Sequence, residues 1–328
     1  MSQPLKLLHL PTLVLRSVLQ LFNPIELFEL SQCSRRALSI ISLSGSRKFK
    51  LHMNEFTNSI HVNGHSFLIH SNGSPSEYPL HGTRTFNGST VKICHQSDQK
   101  SKQKLISFWD NKLVGLKTVF FHLSAVFKCP IECGRFDPTI PAAIYMSIID
   151  FISSRQSEIN ELCVGGENLP DEYVIDIFNK LRVTEHLVLC HQFCRPPSIP
   201  LNNSKSISIW NSSWITTEHL NLMKHCKKIH LGRSSLTDRD MTSLLNDWKS
   251  GQFPNLQYLC IQSNFLSKNF TAFGLPSLRD TVNPQPHIKT ILGFIIWIYG
   301  SVDVQRNDGV GATVLFDKEE GVLQILVL

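Results

Sequence analysis

The chain has 328 residues, 42% of them hydrophobic and 18% charged, which excludes an intrinsically disordered protein and leaves room for one large domain plus a small module, or for two ordinary domains. Its 32 basic and 26 acidic residues give a formal net charge of +6, and the Lys and Arg are scattered, so no basic stripe interleaved with aromatics marks a nucleic-acid surface. Nine cysteines, dispersed and several in apolar runs, read as reduced thiols of a cytoplasmic or nuclear protein, because the apolar N-terminus lacks a basic leader and a small-residue cleavage site. The most apolar run, Ile291 to Tyr299, is far shorter than the roughly 20 residues of a membrane helix and is expected to be a buried strand, with no membrane partner.

In chain order, residues Leu7 to Ile41 predict three short helices. Pro11 suits a helix start, and Val14, Val18, Leu21 and Phe22 line one side of the helix it opens, with Leu15 and Leu19 near the other. Asn23-Pro24-Ile25-Glu26 places an Asn cap, a proline at the first helical position and a Glu at the third, which predicts a capping box before Leu27, Phe28 and Leu30. A third helix follows Ser34, with Ala37, Leu38, Ile40 and Ile41. So short a module carries more large apolar side chains than its helices can bury among themselves, so either the rest of the chain or a partner must cover them.

Leu10-Pro11, Val14-Leu15, Val18-Leu19, Phe22, Pro24, Glu26-Leu27, Leu30, Cys33 and Arg35-Arg36 resemble the F-box pattern without a gap, and the local wording resembles nematode F-box proteins. Leu13 and Ala37 depart from it, standing where an acidic residue and a tryptophan are frequent. The resemblance implies that Leu10, Pro11, Val14, Leu15, Val18, Leu19, Pro24, Leu27 and Leu30 bind the Skp adaptor of a cullin-based ubiquitin ligase.

After Ser44 the pattern becomes short β segments. Ser59 to Val62 and His65 to Ile69 read as a hairpin around Asn63-Gly64, and Thr83 to Phe86 with Thr90 to Ile93 as another around Asn87-Gly88. His61, His65 and His70 are expected to face solvent, and Gln96 to Lys104, with Lys100 and Lys102, to be a solvated loop.

From Leu116 an irregular leucine-rich repeat emerges. Its best copy is Leu256-x-x-Leu259-x-Ile261-x-x-Asn264, with weaker copies at Leu116 to Ser124 and Ile159 to Val164, and bare strand cores at Leu187 to Leu189, Ile207 to Ile209 and Ile229 to Leu231. Helices are expected at Pro141 to Ser153, Asp171 to Leu181, Trp214 to Lys224 and Thr237 to Trp248, alternating with the strands. The expected fold is α/β (α+β overall): F-box 1–45, a β-rich connection 46–110, a leucine-rich-repeat-like solenoid 111–270 and an antiparallel β meander 271–328. The meander strands are expected near Ile291–Ile298, Ser301–Arg306, Ala312–Phe316 and Val322–Leu328. Met223 to Ile261, with Pro254-Asn255-Leu256 and Trp248-Lys249, and the later Asp303-Val304-x-Arg306-x-Asp308-Gly309 resemble the second type of F-box-associated domain, which implies that this region holds a protein target. Alternation along parallel strands points Ser208, His230 and Cys260 to one face; with Trp210 and Arg233 they are the candidate target-binding residues.

Little in the chain announces chemistry. Cys129-x-x-x-Cys133 and Cys190-His191-x-x-Cys194 lack the two-residue knuckle spacing of zinc sites, and no P-loop or nucleophile elbow occurs. Gly165-Gly166 after a strand reads as a tight turn more readily than as a phosphate cradle. No catalytic residue, metal or cofactor is expected. The rival readings are a leucine-rich scaffolding protein, its N-terminal helices packed on its own body, and an enzyme built on Cys190 and His191.

Overall fold

The computed structural model describes residues 7–73, 78–97, 103–136, 140–165, 169–267, 270–273, 287–291, 294–298, 302–317 and 320–328, with backbone alone at 287–291, 294–298 and 302. It divides into two compact units, Met1–Ile159 and Asn160–Leu328, a division that falls inside the expected 111–270 domain.

Unit 1 begins with α1 (Thr12–Leu19), α2 (Pro24–Cys33) and α3 (Arg35–Ile40). The predicted cap on α2 is present: Asn23 Oδ1 accepts from Ile25 N–H at 2.9 Å and Glu26 N–H at 3.0 Å, while Asn23 N–H donates to Glu26 Oε2 at 2.8 Å. Ser34 Oγ caps α3 by accepting from Ala37 N–H at 3.0 Å. The strands are β1 (Leu51–Asn54), β2 (Ser59–Val62), β3 (His65–Ser71), β4 (Thr83–Phe86), β5 (Ser89–Ser97) and β6 (Gln103–Trp109). Then come α4 (Lys112–Phe127), β7 (Ile131–Arg135) and α5 (Ala142–Ser153). Their order in the sheet is β7-β1-β2-β3-β6-β5-β4, with β1 parallel to β7, β3 parallel to β6, and the hairpin pairs antiparallel. Both Asn-Gly turns form as expected, with positive φ at both residues (47° and 81° at Asn63-Gly64, 45° and 85° at Asn87-Gly88), the twist that tight hairpins require.

Three expectations fail in this unit. Leu116 to Ser124 is not a repeat strand but the middle of α4: Leu116, Val119, Phe120, Leu123 and Phe127 recur at three- and four-residue steps and are buried, and Asn111 Oδ1 caps the helix through Val114 N–H at 3.0 Å. The ends of the Gln96–Lys104 stretch are strand, with Gln96 opposite Lys104 and Ser97 opposite Gln103; residues 98–102 lie outside the described ones. His61, His65 and His70 are half-buried rather than solvent-facing. His61 bonds Ser59 and Ser66 (2.9 and 3.0 Å), and His70 sits edge-on to Tyr78 and Phe108.

Strand β8 (Glu158–Val164) spans the division, and unit 2 goes on with α6 (Asp171–Lys180), β9 (Arg182–Leu189), β10 (Ser206–Ile209), α7 (Thr217–Leu222), β11 (Lys228–Ser234), α8 (Asp238–Lys249) and β12 (Tyr258–Ser263). Strands β9 to β12 are parallel neighbours in sequence order, with β8 beside β9. Ile207, Ile229 and Leu259 point to the face that also buries Leu220, Leu244, Leu245 and Trp248 of the helices. The helices alternate with the strands except between β9 and β10, where the sequence reading placed none. Residues 190–205 join β9 to β10 without one, as Pro196, Pro197 and Pro200 deny the backbone the donors a helix needs.

The C-terminal strands are β13 (His287–Ile291), β14 (Phe294–Ile298), β15 (Val302–Gln305), β16 (Gly311–Asp317) and β17 (Val322–Val327). The last three form the expected meander, which joins the parallel strands through antiparallel β17 and β12. The expected first meander strand is instead split: Ile291 ends β13, Phe294 begins β14, and the two form a separate antiparallel pair. Residues 292–293, 299–301 and 318–319, named in the meander reading, lie outside the described residues.

Candidate functional site

Helix α1 is apolar on two sides, and the structure uses them differently. At 100° per residue, Leu15 and Leu19 share one side, and both are buried, Leu19 completely. Leu13, Val14 and Val18 share the other, with Leu21 continuing it past the helix end. Leu13 is 78% and Leu21 84% exposed, and Val14 47%. Burying a side chain of this size is worth about 1.5–3 kcal/mol, so this face gains substantially from any apolar partner.

Helix α2 faces inward instead. Ile25, Leu27 and Phe28 are at most 1% exposed. Phe28 stacks on Phe86 of β4 at 5.0 Å between ring centroids and meets Phe67 of β3 edge-on at 5.6 Å. Polar contacts reinforce the seam: Glu29 pairs with Arg84, whose Nε donates to Glu29 Oε2 at 2.5 Å, and Thr85 N–H donates to Gln32 Oε1 at 3.2 Å.

In unit 2 the sheet face away from the helices carries a row in register, Val188, Ser208, His230, Cys260 and Gln324, from β9 to β17. Beside it, Trp210 is 56% exposed and meets His230 edge-on at 5.8 Å, while Lys228 Nζ lies 5.4 Å from the centre of the Tyr258 ring.

The comparison with family models assigns residues 7–49 to the F-box domain and residues 195–261 to an F-box-associated domain. The chain carries an F-box followed by an F-box-associated domain. No curated protein and no solved structure matches it.

Of the nine F-box residues singled out from the sequence, Leu15, Leu19, Pro24 and Leu27 are buried in unit 1, and Leu10, Val18 and Leu30 are half-buried. Only Pro11 and Val14 are exposed. Leu13, Leu21 and Leu38, which the resemblance did not single out, are with Val14 the F-box's most exposed large apolar side chains. The outward position of Leu13 and Leu21 follows from α1's two-sided pattern, since only one side of a short helix can face its own domain, whereas Leu38 lies on α3.

Within and beside the F-box-associated domain, Ser208, His230 and Cys260 do share one face, as alternation implied, and burial lowers the His230 pKa. Cys260 is itself buried, 7% exposed, and burial raises its pKa. Arg233 is exposed, in the left-handed region at φ 51°, and its Nη1 donates to Asn211 Oδ1 at 3.2 Å. Trp214, which flanks the same turn as Trp210, is buried.

The cysteine motifs resolve differently from one another. Cys129 and Cys133 are both buried, and burial pushes the Cys129 thiol up to about 11, which disfavours the thiolate a nucleophile needs. His191 Nε2 lies 2.6 Å from Asp171 Oδ1, and Cys194 N–H donates to Asp171 Oδ2 at 3.1 Å, so the carboxylate clasps the segment after β9 to the first residue of α6. Bonding to His191 holds the Asp171 pKa below its ordinary value. Gly166 lies outside the described residues; Gly165 has φ 125°, and a Cβ there would stand 2.4 Å from His191 N, so close backbone approach accounts for it. Among the described residues, no group of three or more His, Cys, Asp or Glu could hold a metal ion, and no helix is long and apolar enough to cross a membrane.

Proposed function

We propose that this protein is the target-recognition subunit of a Skp–cullin–F-box ubiquitin ligase, working in the cytoplasm or nucleus. The Skp adaptor docks on the outward side of α1, and through it the cullin; a target protein docks on the open sheet face around Trp210, His230 and Arg233. The observation that carries this reading is an F-box whose α1 leaves Leu13, Val14 and Leu21 in water, followed on the same chain by an F-box-associated domain.

On this reading no residue of the chain takes part in ubiquitin transfer itself. The protein raises the effective concentration of target lysines near a ubiquitin-charged enzyme held by other subunits. The successive parallel strands β9 to β12 are read as a short, irregular leucine-rich solenoid, whose strand face is an extended binding surface.

The test is affinity purification of the full chain from cells, expected to bring down the Skp adaptor and the cullin together. Recovery of neither sinks the ligase reading. A second reading then takes its place, a scaffolding protein whose N-terminal helices are an ordinary part of its core; the burial of Leu19, Leu27 and Phe28 within unit 1 favours it.

A further inference from the structure

Two thiols meet where β8 and β9 end. Cys163 Sγ lies 3.8 Å from Cys190 Sγ, and Cys190 N–H donates to the Val164 carbonyl at 2.8 Å, holding the two chain segments side by side. Cys163 is shielded within β8, 6% exposed, whereas Cys190 is half-buried and stands one residue past the end of β9. The segment that Cys190 opens is anchored at its next residues by the His191–Asp171 clasp. Its own carbonyl accepts from Asn211 Nδ2 at 3.0 Å, and Asn211 Oδ1 in turn accepts from Arg233.

We propose that Cys163 and Cys190 are a reversible redox pair that closes to a disulfide when the protein meets a hydroperoxide. The Cys190 thiolate attacks the peroxide, the O–O bond breaks, and Cys190 becomes a sulfenic acid while the other oxygen leaves as water or alcohol. The Cys163 sulfur then attacks the sulfenic sulfur, an S–S bond forms, and the expelled hydroxide takes the Cys163 proton to leave as water. The two thiols lose two electrons in all and the hydroperoxide gains them; a dithiol reductant reverses the change.

The roles follow from access, since the less buried residue of the pair reacts first and the shielded one beside it resolves. The Cys163 hydrogen bond lowers the Cys190 pKa against the effect of burial, while burial pushes Cys226 up to about 12. An S–S bond of about 2.05 Å requires the sulfurs, 3.8 Å apart, to close by about 1.8 Å. The movement falls on Cys190, which lies outside regular structure, and passes through Asn211 to the neighbourhood of Trp210 and Arg233. This inference stands on unit 2 alone and does not rest on the ligase reading.

The test treats the purified, reduced full chain with one equivalent of hydrogen peroxide, blocks remaining thiols, digests it and maps cross-links by mass spectrometry. The expected product joins Cys163 to Cys190, disappears on adding dithiothreitol, and is absent from Cys163→Ser. In that variant a sulfenic-acid reagent should label Cys190 faster than the exposed Cys33 and Cys194. Pairing of Cys190 with Cys194 or with another chain would overturn the proposal, and so would labelling of Cys190 no faster than Cys33.

Discussion

Phe28 of the F-box helix α2 lies almost flat against Phe86 of β4, with ring centroids 5.0 Å apart and planes 13° from parallel. A residue of the F-box and a residue of the hairpin tip thereby belong to one core. The Glu29–Arg84 pair and the Gln32–Thr85 bond fasten the same seam. The F-box of this chain is integral to unit 1.

Removing that contact should therefore unfold more than the F-box. Phe28→Ala is expected to cost about 3–5 kcal/mol, because it leaves a cavity between Phe67 and Phe86. Urea unfolding followed by circular dichroism should show the strand signal of unit 1 lost at a lower midpoint. An unchanged midpoint would mean that the module is autonomous.

Acid should loosen the same seam. Burial lowers the pKa of His122, which packs edge-on against Phe28 and Phe86 and accepts at Nδ1 from Asn87 N–H. Burial also lowers that of His95, against the raising effect of Glu29. The unfolded chain takes up these protons near the ordinary value of 6.5 and the folded chain does not. Stability from these groups is thus fully present above that pH and is lost as the pH falls below it, down to the lower folded pKa values. Melting temperatures from about pH 7.5 to about 5.5 should fall, and His122→Gln should flatten the slope. A slope that His122→Gln leaves unaltered would remove His122 from the account.

In unit 2, Arg306 is buried and forks onto Asp308 through Nε and Nη2 (2.8 and 2.6 Å), while Nη1 donates to the Phe253 carbonyl at 3.2 Å. The Arg306 hydrogen bonds hold Asp308 down to about 2. Arg306→Ala strips the Phe253 carbonyl of its donor and should destabilise by about 1–3 kcal/mol. Chemical denaturation of the variant is the check, and a cost near zero would show that water replaces the guanidinium.

Local signals were legible in the sequence and non-local ones were not. The Asn23–Glu26 box, both Asn-Gly hairpins and helices α5 to α8 were readable because each is set by residues within a few positions of one another. Strands β1 and β7 were missed. Leu51–Asn54 is four residues long, and its parallel partner Ile131–Arg135 lies across several strands and a helix of sequence. Helix α4 was misread because it is apolar nearly all round, which hides its period and lets a repeat template fit by chance. The exposed side of α1 was half legible. The resemblance named α1, but which side of α1 faces water depends on where the sheet sits, and so Leu15 and Leu19 were grouped with Val14.

That division sorts variants into two kinds. Leu19→Ala, in a fully buried position, should cost about 2–5 kcal/mol, whereas Leu21→Ala should stay within about 0.5 kcal/mol. Thermal unfolding of the pair, side by side, checks it; equal costs would contradict the burial pattern.

The central claim is that the outward side of α1 holds the Skp adaptor, and calorimetric titration of the purified adaptor into the full chain tests it most directly. The doubly substituted Leu13→Asp, Leu21→Asp chain should keep the wild-type melting temperature and bind at least about tenfold more weakly, a loss of about 1.4 kcal/mol or more. Wild-type affinity in that variant, or no binding by the wild-type chain, would contradict the claim.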